Sequence, residues 1–134
     1  MTSAVFSTDG SSVLTASCDF TAKIFDSSTG ECKHTLSGHC RDLYSAVFSA
    51  DGSSVVTASD GKSVKIFDSS TGECKQTLSG HRCGVDSAVF SADGTLVLID
   101  SDDFTVKIFD SCTGECKQVL FGHDRIVRSA MFSC

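Results

Sequence analysis

A 42-residue repeat constrains this chain more than any other feature of its sequence. Residues 3–44 match residues 45–86 at 29 of 42 positions, and residues 45–86 match residues 87–128 at 27 of 42. The segment Ser-Ala-Val-Phe-Ser at 3–7 returns at 45–49, at 87–91 and, with Met131 for valine, at 129–133. Copies this similar are expected to share one conformation, so the sequence predicts three equivalent units and the start of a fourth.

The second unit shows the pattern that each copy follows. Four short apolar or alternating runs, at 46–48, 55–58, 64–67 and 74–78, are separated by turn residues such as Asp51-Gly52 and Thr71-Gly72. Runs of this length between Gly, Asp and Ser clusters are typical of strands joined by tight turns. We expect an antiparallel meander of four strands in each unit and no helix. One such sheet has apolar residues on both faces, so neighbouring copies are expected to stack.

Two dipeptides recur at fixed places in the repeat and resemble a known signature. Gly-His occurs at 38–39, 80–81 and 122–123, and Phe-Asp occurs at 25–26, 67–68 and 109–110. The pattern resembles the paired GH and WD signatures of WD-repeat proteins, with Phe in place of each Trp. The resemblance implies an all-β fold: three four-stranded antiparallel propeller blades, at approximately 1–39, 40–81 and 82–123, plus one extra strand within 124–134. It also implies a non-catalytic scaffold whose exposed loops bind other proteins.

The resemblance further implies a hydrogen-bonded tetrad in each blade, made of the GH histidine, a second-strand hydroxyl, a turn aspartate and the WD tryptophan. No unit of this chain has all four members, because every Trp is Phe and an indole donor is lost. The carried-over positions are His39, Thr57, Asp60 and Phe67, with Gly61 where the aspartate belongs; His81, Asp103 and Phe109, with Ile99 for the hydroxyl; and Thr15, Asp19 and Phe25. These histidines are predicted to be structural.

The copies differ most in two segments, the five residues after each Gly-His and the turn before each third strand. In WD-repeat proteins these segments meet on one face around the channel and commonly contact partners. The residues predicted to bind a protein partner are Asp42, Tyr44, Asp60, Asp86, Asp102 and Arg128. Tyr44 is the expected anchor, since aromatic residues dominate binding hot spots. The alternative is that these loops have simply drifted.

Charge and composition disfavour several other classes of function. The net charge of −6 argues against nucleic-acid and anionic-membrane binding, which depend on Lys and Arg. The start of the chain carries no signal-peptide core, so we expect a cytoplasmic protein, with a nuclear one not excluded, and reduced cysteines. Cys112 and Cys116 with His123 fall short of the four ligands of a zinc site, and His39-Cys40 and His81 with Cys83 lack a third orienting group. No metal, cofactor or enzymatic activity is expected.

The number of units raises a problem of closure. Propellers close with four to eight blades, and closure hides the strand edges and apolar faces of the end blades. Three blades are too few, so we expect an open or partial propeller. Either two chains pair into a six-bladed ring, or this chain is a structural piece of a larger propeller or assembly with no ligand of its own.

Overall fold

The computed structural model describes residues 3–17, 19–39, 43–59, 63–78, 85–101 and 106–120, without the side chains of Ser3, Tyr44, Asp86 and Ser101. Those residues form twelve strands and no helix. The strands are β1 Ser3–Phe6, β2 Ser12–Ala16, β3 Ala22–Asp26, β4 Cys32–Leu36, β5 Leu43–Phe48, β6 Ser54–Ser59, β7 Val64–Asp68, β8 Cys74–Leu78, β9 Val85–Phe90, β10 Leu96–Ser101, β11 Val106–Asp110 and β12 Cys116–Leu120. The predicted extra strand within 124–134 lies outside the described residues.

The twelve strands form three antiparallel sheets of four, in the orders β1-β2-β3-β4, β5-β6-β7-β8 and β9-β10-β11-β12. We call them the first, second and third sheet. The register between the second and third strands is the same in all three, with Val13 opposite Phe25, Val55 opposite Phe67 and Val97 opposite Phe109. The predicted all-β architecture of three four-stranded meanders is confirmed.

The turns explain why the chain reverses at each unit's glycines. Gly52, at the β5–β6 turn, has a φ of 75°, and its amide donates to the Ser49 carbonyl. Asp51 fixes the same turn by accepting bonds from the Ser53 amide and from the hydroxyls of Ser49 and Ser53. These bonds hold the pKa of Asp51 at about 2. A residue with a Cβ would be strained at this φ, so the Asp-Gly pair specifies the hairpin.

The core lies between the sheets rather than within one of them. The first interface joins the first and second sheets and packs Leu14, Ile24 and Leu36 against Val55 and Phe67. The second interface joins the second and third sheets in the same way. Strand β6 is buried at every position because its two faces belong to different interfaces: Val55 to the first, Val56 and Ala58 to the second. Within the described residues the row of sheets is open, and the first and third sheets do not close on each other.

The two faces of each sheet differ in which neighbouring sheet they point toward. We call the face toward the following sheet the front face and the face toward the preceding sheet the rear face. In the second sheet, Val56 and Ala58 lie on the front face and Val55 lies on the rear face. Thr57 shares the rear face with Val55, because side chains two positions apart on a strand lie on the same side.

Candidate functional site

The polar centre of the described structure is His39, which follows β4 and reaches the rear face of the second sheet. Its Nε2 lies 2.6 Å from the Thr57 Oγ1, and its Nδ1 lies 3.2 Å from the Ser63 Oγ. His39 is 7% exposed. Because the Thr57 hydroxyl donates its proton to the Lys65 carbonyl, it accepts from a protonated Nε2, and Nδ1 of the neutral imidazole then accepts from the Ser63 hydroxyl.

The network extends beyond the ring at both ends. Thr57 Oγ1 donates to the Lys65 carbonyl at 3.4 Å, and the Ser59 hydroxyl lies 3.3 Å from that of Ser63. The partner of Nδ1 is thus a serine hydroxyl, whereas the tetrad implied by the resemblance to WD-repeat proteins has an aspartate carboxylate. No negative charge among these contacts stabilises an imidazolium ion. Burial, and to a smaller degree the positive charge of Lys65, lower the pKa of His39 to about 4.

The contacts of His39 include some of the residues predicted for the tetrad of the second unit. The structure brings His39 and Thr57 together and buries Phe67 on the same face of the sheet. Asp60 lies outside the described residues. The contact with Ser63 was not predicted. In the first unit the equivalent residue, Thr21, donates its amide and hydroxyl hydrogen bonds to the turn aspartate Asp19. With Gly61 in place of that aspartate, the Ser63 hydroxyl is available to the histidine.

The other two predicted tetrads are described only in part. In the first unit, Thr15 and Phe25 are half-buried, and Asp19 holds its own turn with a lowered pKa, mainly because the Thr21 hydroxyl donates to it. In the third unit, Phe109 is buried, whereas His81 and Asp103 lie outside the described residues. The histidine network is therefore seen in the second unit.

Two of the residues predicted to bind a partner, Tyr44 and Asp86, lie at β-bulges. On β5, Leu43 pairs with Ser59 and Ser45 pairs with Ala58. Tyr44, between them, is an extra residue that pairs with no residue of β6. Asp86 holds the same place on β9. Both are strand residues at β-bulges rather than loop residues. The remaining predicted contact residues, Asp42, Asp60, Asp102 and Arg128, lie outside the described part of the chain.

The third sheet holds a buried carboxylate. Asp100, on β10, is 1% exposed and accepts a short hydrogen bond from the Ser87 hydroxyl across the strand pair. Its Oδ2 has no hydrogen-bond partner among the described residues. The equivalent residues in the other units are Ala16 and Ala58, each fully buried at an interface. The sequence analysis did not single out Asp100, although aligning the three copies places an aspartate there against two alanines.

Four cysteines lie in the described part of the chain. All are exposed free thiols: Cys32, Cys74 and Cys116 begin the fourth strand of each sheet, and Cys112 lies in the turn before β12. No group of three or more His, Cys, Asp or Glu side chains in the described ranges is placed to hold a metal ion. In the same ranges, no helix has the length and apolar character needed to cross a membrane. The thiol pairs at Cys40 and at Cys83, and the candidate ligand His123, lie outside the description.

Comparison with known proteins agrees with the repeat. The family model for the WD domain, G-beta repeat, matches residues 1–26, 30–68 and 72–110. These three matches cover each of the three sheets through its third strand and include the Phe-Asp pair in each case. A search of curated proteins found no match to the sequence.

Proposed function

This chain belongs to the WD-repeat family, and we propose that it is a non-catalytic protein-interaction scaffold of the cytoplasm or nucleus. WD-repeat proteins generally act as scaffolds of this kind. The finer part of the proposal is the contact surface, which consists of Asp42, Tyr44, Asp60, Asp86, Asp102 and Arg128.

The two β-bulges carry the proposal. A bulge turns one side chain away from the regular alternation of its strand, and bulges are frequent beside functional sites. Tyr44 and Asp86 occupy equivalent bulges on β5 and β9, the first strands of neighbouring sheets, yet one is an aromatic phenol and the other a carboxylate. The bulge is thus repeated in both sheets, but the residue at the bulge differs from one sheet to the next. This combination is expected of a surface that presents a specific set of contacts on a shared scaffold.

The test is the double variant Tyr44→Ala, Arg128→Ala, used with the wild-type chain to capture proteins from a lysate. We expect partners recovered by the wild type to fall by about tenfold or more, because truncating an aromatic anchor and a charged contact removes hot-spot energy. Lys117→Ala is the control, since Lys117 is an exposed cation on β12 beside Asp110 at 3.6 Å. Equal recovery by the double variant and the wild type would contradict this contact surface.

A second candidate function is a structural piece that completes a larger propeller or assembly. It is favoured by the rear face of the first sheet, where Phe6 is 69% exposed although its counterparts Phe48 and Phe90 pack against the interface cores. The mass of the protein in solution separates the two candidates. A scaffold complete in itself keeps the 14.1 kDa mass of one chain at all concentrations, whereas a piece of an assembly associates.

A further inference from the structure

A cleft of about 730 Å³ lies between the first and second sheets, at the end where β1 turns into β2 and β5 into β6. Its volume is in the range of ligand-binding clefts, roughly 300–1,000 Å³. Ile24 and Phe48 form its apolar part. The Thr8 hydroxyl ties the two bordering turns together by donating to the Ala50 carbonyl at 3.1 Å. The bulge at Tyr44 lies at the other end of β5, so the cleft is separate from the proposed contact surface.

The middle residue of the outer strand bridges the second interface but not the first. Gln76 donates across the second interface to the Cys112 carbonyl at 2.7 Å. Its equivalent at the first interface, His34, lies against Gly72, where a Cβ would come within 3.3 Å of it. Among the described contacts, the His34 ring makes no hydrogen bond to the second sheet. The cleft at the first interface is therefore not spanned by a side-chain bond at this point.

The hydroxyl groups in the cleft present lone pairs rather than protons. Five of them donate their protons inside the protein, to a turn carboxylate or a turn carbonyl: those of Ser7, Thr8, Ser11, Ser69 and Ser70. A hydroxyl that has donated its one proton can only accept a further bond. These groups therefore suit a ligand that is rich in donors.

The charges in the cleft favour the same kind of ligand. Asp9 and Asp51 hold equivalent places in the two bordering turns, and bonds from their own turns to Oδ1 lower the pKa of each to about 2. Within the described ranges, no hydrogen bond or ion pair engages the Oδ2 of either carboxylate. Lys33 is directed elsewhere, since its Nζ donates to the Ser12 hydroxyl at 2.8 Å. The cleft thus carries two carboxylates against one ammonium group.

Two donors remain on the side of the first sheet. Ser12 is only 8% exposed, and its hydroxyl proton has no acceptor among the described residues. The Lys33 ammonium uses one of its three protons in the bond to Ser12. Backbone carbonyls of a peptide are acceptors that these donors could meet. A peptide therefore satisfies both parts of the cleft, whereas a small cation satisfies one.

We propose that this cleft binds an arginine side chain of a partner protein, with its guanidinium group facing Asp9 and Asp51 and a neighbouring peptide carbonyl at Lys33. A guanidinium group has five donors and no acceptor, in a planar fork that matches carboxylates. The aliphatic stem of the arginine packs on Phe48. The inference rests on the proposal that the chain binds proteins, and it adds a second site at the opposite end of the sheets from Tyr44.

The main test is a titration of the full chain, labelled with ¹⁵N, with the blocked tripeptide acetyl-Ala-Arg-Ala-amide. Peptides with citrulline or lysine in place of arginine are the controls, since citrulline keeps the shape without the charge. The arginine peptide should shift the amide signals of Thr8 and Gly52, and should bind about tenfold more tightly than the citrulline peptide and more tightly than the lysine peptide. Binding of either control as tight as that of the arginine peptide, or shifts confined to other parts of the chain, would overturn the inference.

A matched pair of aspartates tests the carboxylates. Asp51→Asn keeps the Oδ1 acceptor of the turn but removes the charge, and should raise the dissociation constant of the arginine peptide by about tenfold. Asp93→Asn is the control, because Asp93 holds the equivalent turn of the third sheet, has a pKa of about 2 as well and does not line the cleft. Its effect should stay within about twofold. Equal effects of the two variants would mean that the peptide responds only to net charge, and the inference would fail.

A third variant tests the open span of the cleft. His34→Gln should place an amide across the cleft, as Gln76 does at the second interface, and so weaken binding of the arginine peptide. Tighter or unchanged binding would count against the inference. Capture of proteins from a lysate separates the two proposals: partners captured by a wild-type chain that does not bind the arginine peptide would end this inference alone, whereas the absence of any captured partner would end the proposed function.

Discussion

The second and third sheets share one backbone register, but Thr57 of the second and Asp100 of the third are buried polar side chains on opposite faces. The second sheet has Thr57 followed by Ala58, and the third has Ile99 followed by Asp100, at equivalent positions of β6 and β10. A shift of one residue along a strand moves a side chain to the other face. Thr57 thus lies on the rear face with His39 as its partner, whereas Asp100 lies on the front face with one oxygen unpartnered among the described residues.

The difference teaches that the repeat fixes packing more strictly than it fixes polar chemistry. Val56 and Leu98, and Phe67 and Phe109, remain apolar and buried in both sheets. A hydroxyl paired with an imidazole stabilises its interface, whereas a half-satisfied carboxylate destabilises its own. Substitutions in the two sheets are therefore expected to have effects of opposite sign.

The largest effect is expected for His39→Ala in the second sheet. The change removes a buried ring and leaves the Thr57 and Ser63 hydroxyls without their imidazole partner. The free energy of unfolding should fall by about 3–4 kcal/mol. Urea denaturation measures it, with His34→Ala as the control, because His34 is only half-buried and its ring is not part of this network. A loss below about 1 kcal/mol would show that the network contributes little.

The same histidine should give the fold a pH dependence. Its pKa is about 4 in the folded protein against an ordinary 6.5, so the unfolded chain binds a proton that the folded chain does not. The contribution is complete above about pH 6.5 and is lost as the pH falls toward 4, by up to about 3 kcal/mol. His39→Gln should flatten the dependence of stability on pH in that window. Ser63→Asp should also flatten it, because a carboxylate beside Nδ1 raises the pKa of His39.

The turn carboxylates give a separate window that serves as an internal reference. Hydrogen bonds from the neighbouring turn residues, chiefly the Ser11, Ser53 and Thr95 amides, lower the pKa values of Asp9, Asp51 and Asp93 to about 2. Their stabilisation is present above about pH 4 and is lost as the pH falls toward 2. It should be unchanged in His39→Gln. A variant that altered both windows equally would indicate a general loss of stability rather than the loss of one titrating group.

In the third sheet the sign reverses, and Asp100→Ala should stabilise the chain. Alanine is the residue at this position in the other two sheets, and the change removes a buried carboxylate oxygen that has no described partner. The cost is the single bond from Ser87, so we expect a net gain of about 1–2 kcal/mol in the free energy of unfolding. Ala58→Asp is the matched control in the second sheet and should destabilise. A loss of stability in Asp100→Ala would mean that the carboxylate is paired.

The strands were predictable from the sequence, but the polar contacts were only partly so. Periodicity and turn residues gave the runs around Val55 and Ile66, because apolar spacing and glycine conformation are local properties. Ser63 was missed because the tetrad was assigned by position, although a hydroxyl two residues later can replace a missing carboxylate. The bulges at Tyr44 and Asp86 depend on the register between two strands, which no single strand encodes.

The smallest expected effect compares the two interfaces through the residue that contacts the turn glycine. At the second interface Gln76 donates to the Cys112 carbonyl, whereas at the first interface His34 packs against Gly72 beside a cleft of about 730 Å³ lined by Lys33, Phe48 and Ser70. His34→Gln should allow the same bond to the Ser70 carbonyl and add about 0.5–1 kcal/mol, while Gln76→His should lose a similar amount. The double swap should then be nearly neutral, because each interface keeps one residue of each type. Unequal single effects would show that the two turns, Ser70 and Cys112, are not equivalent acceptors.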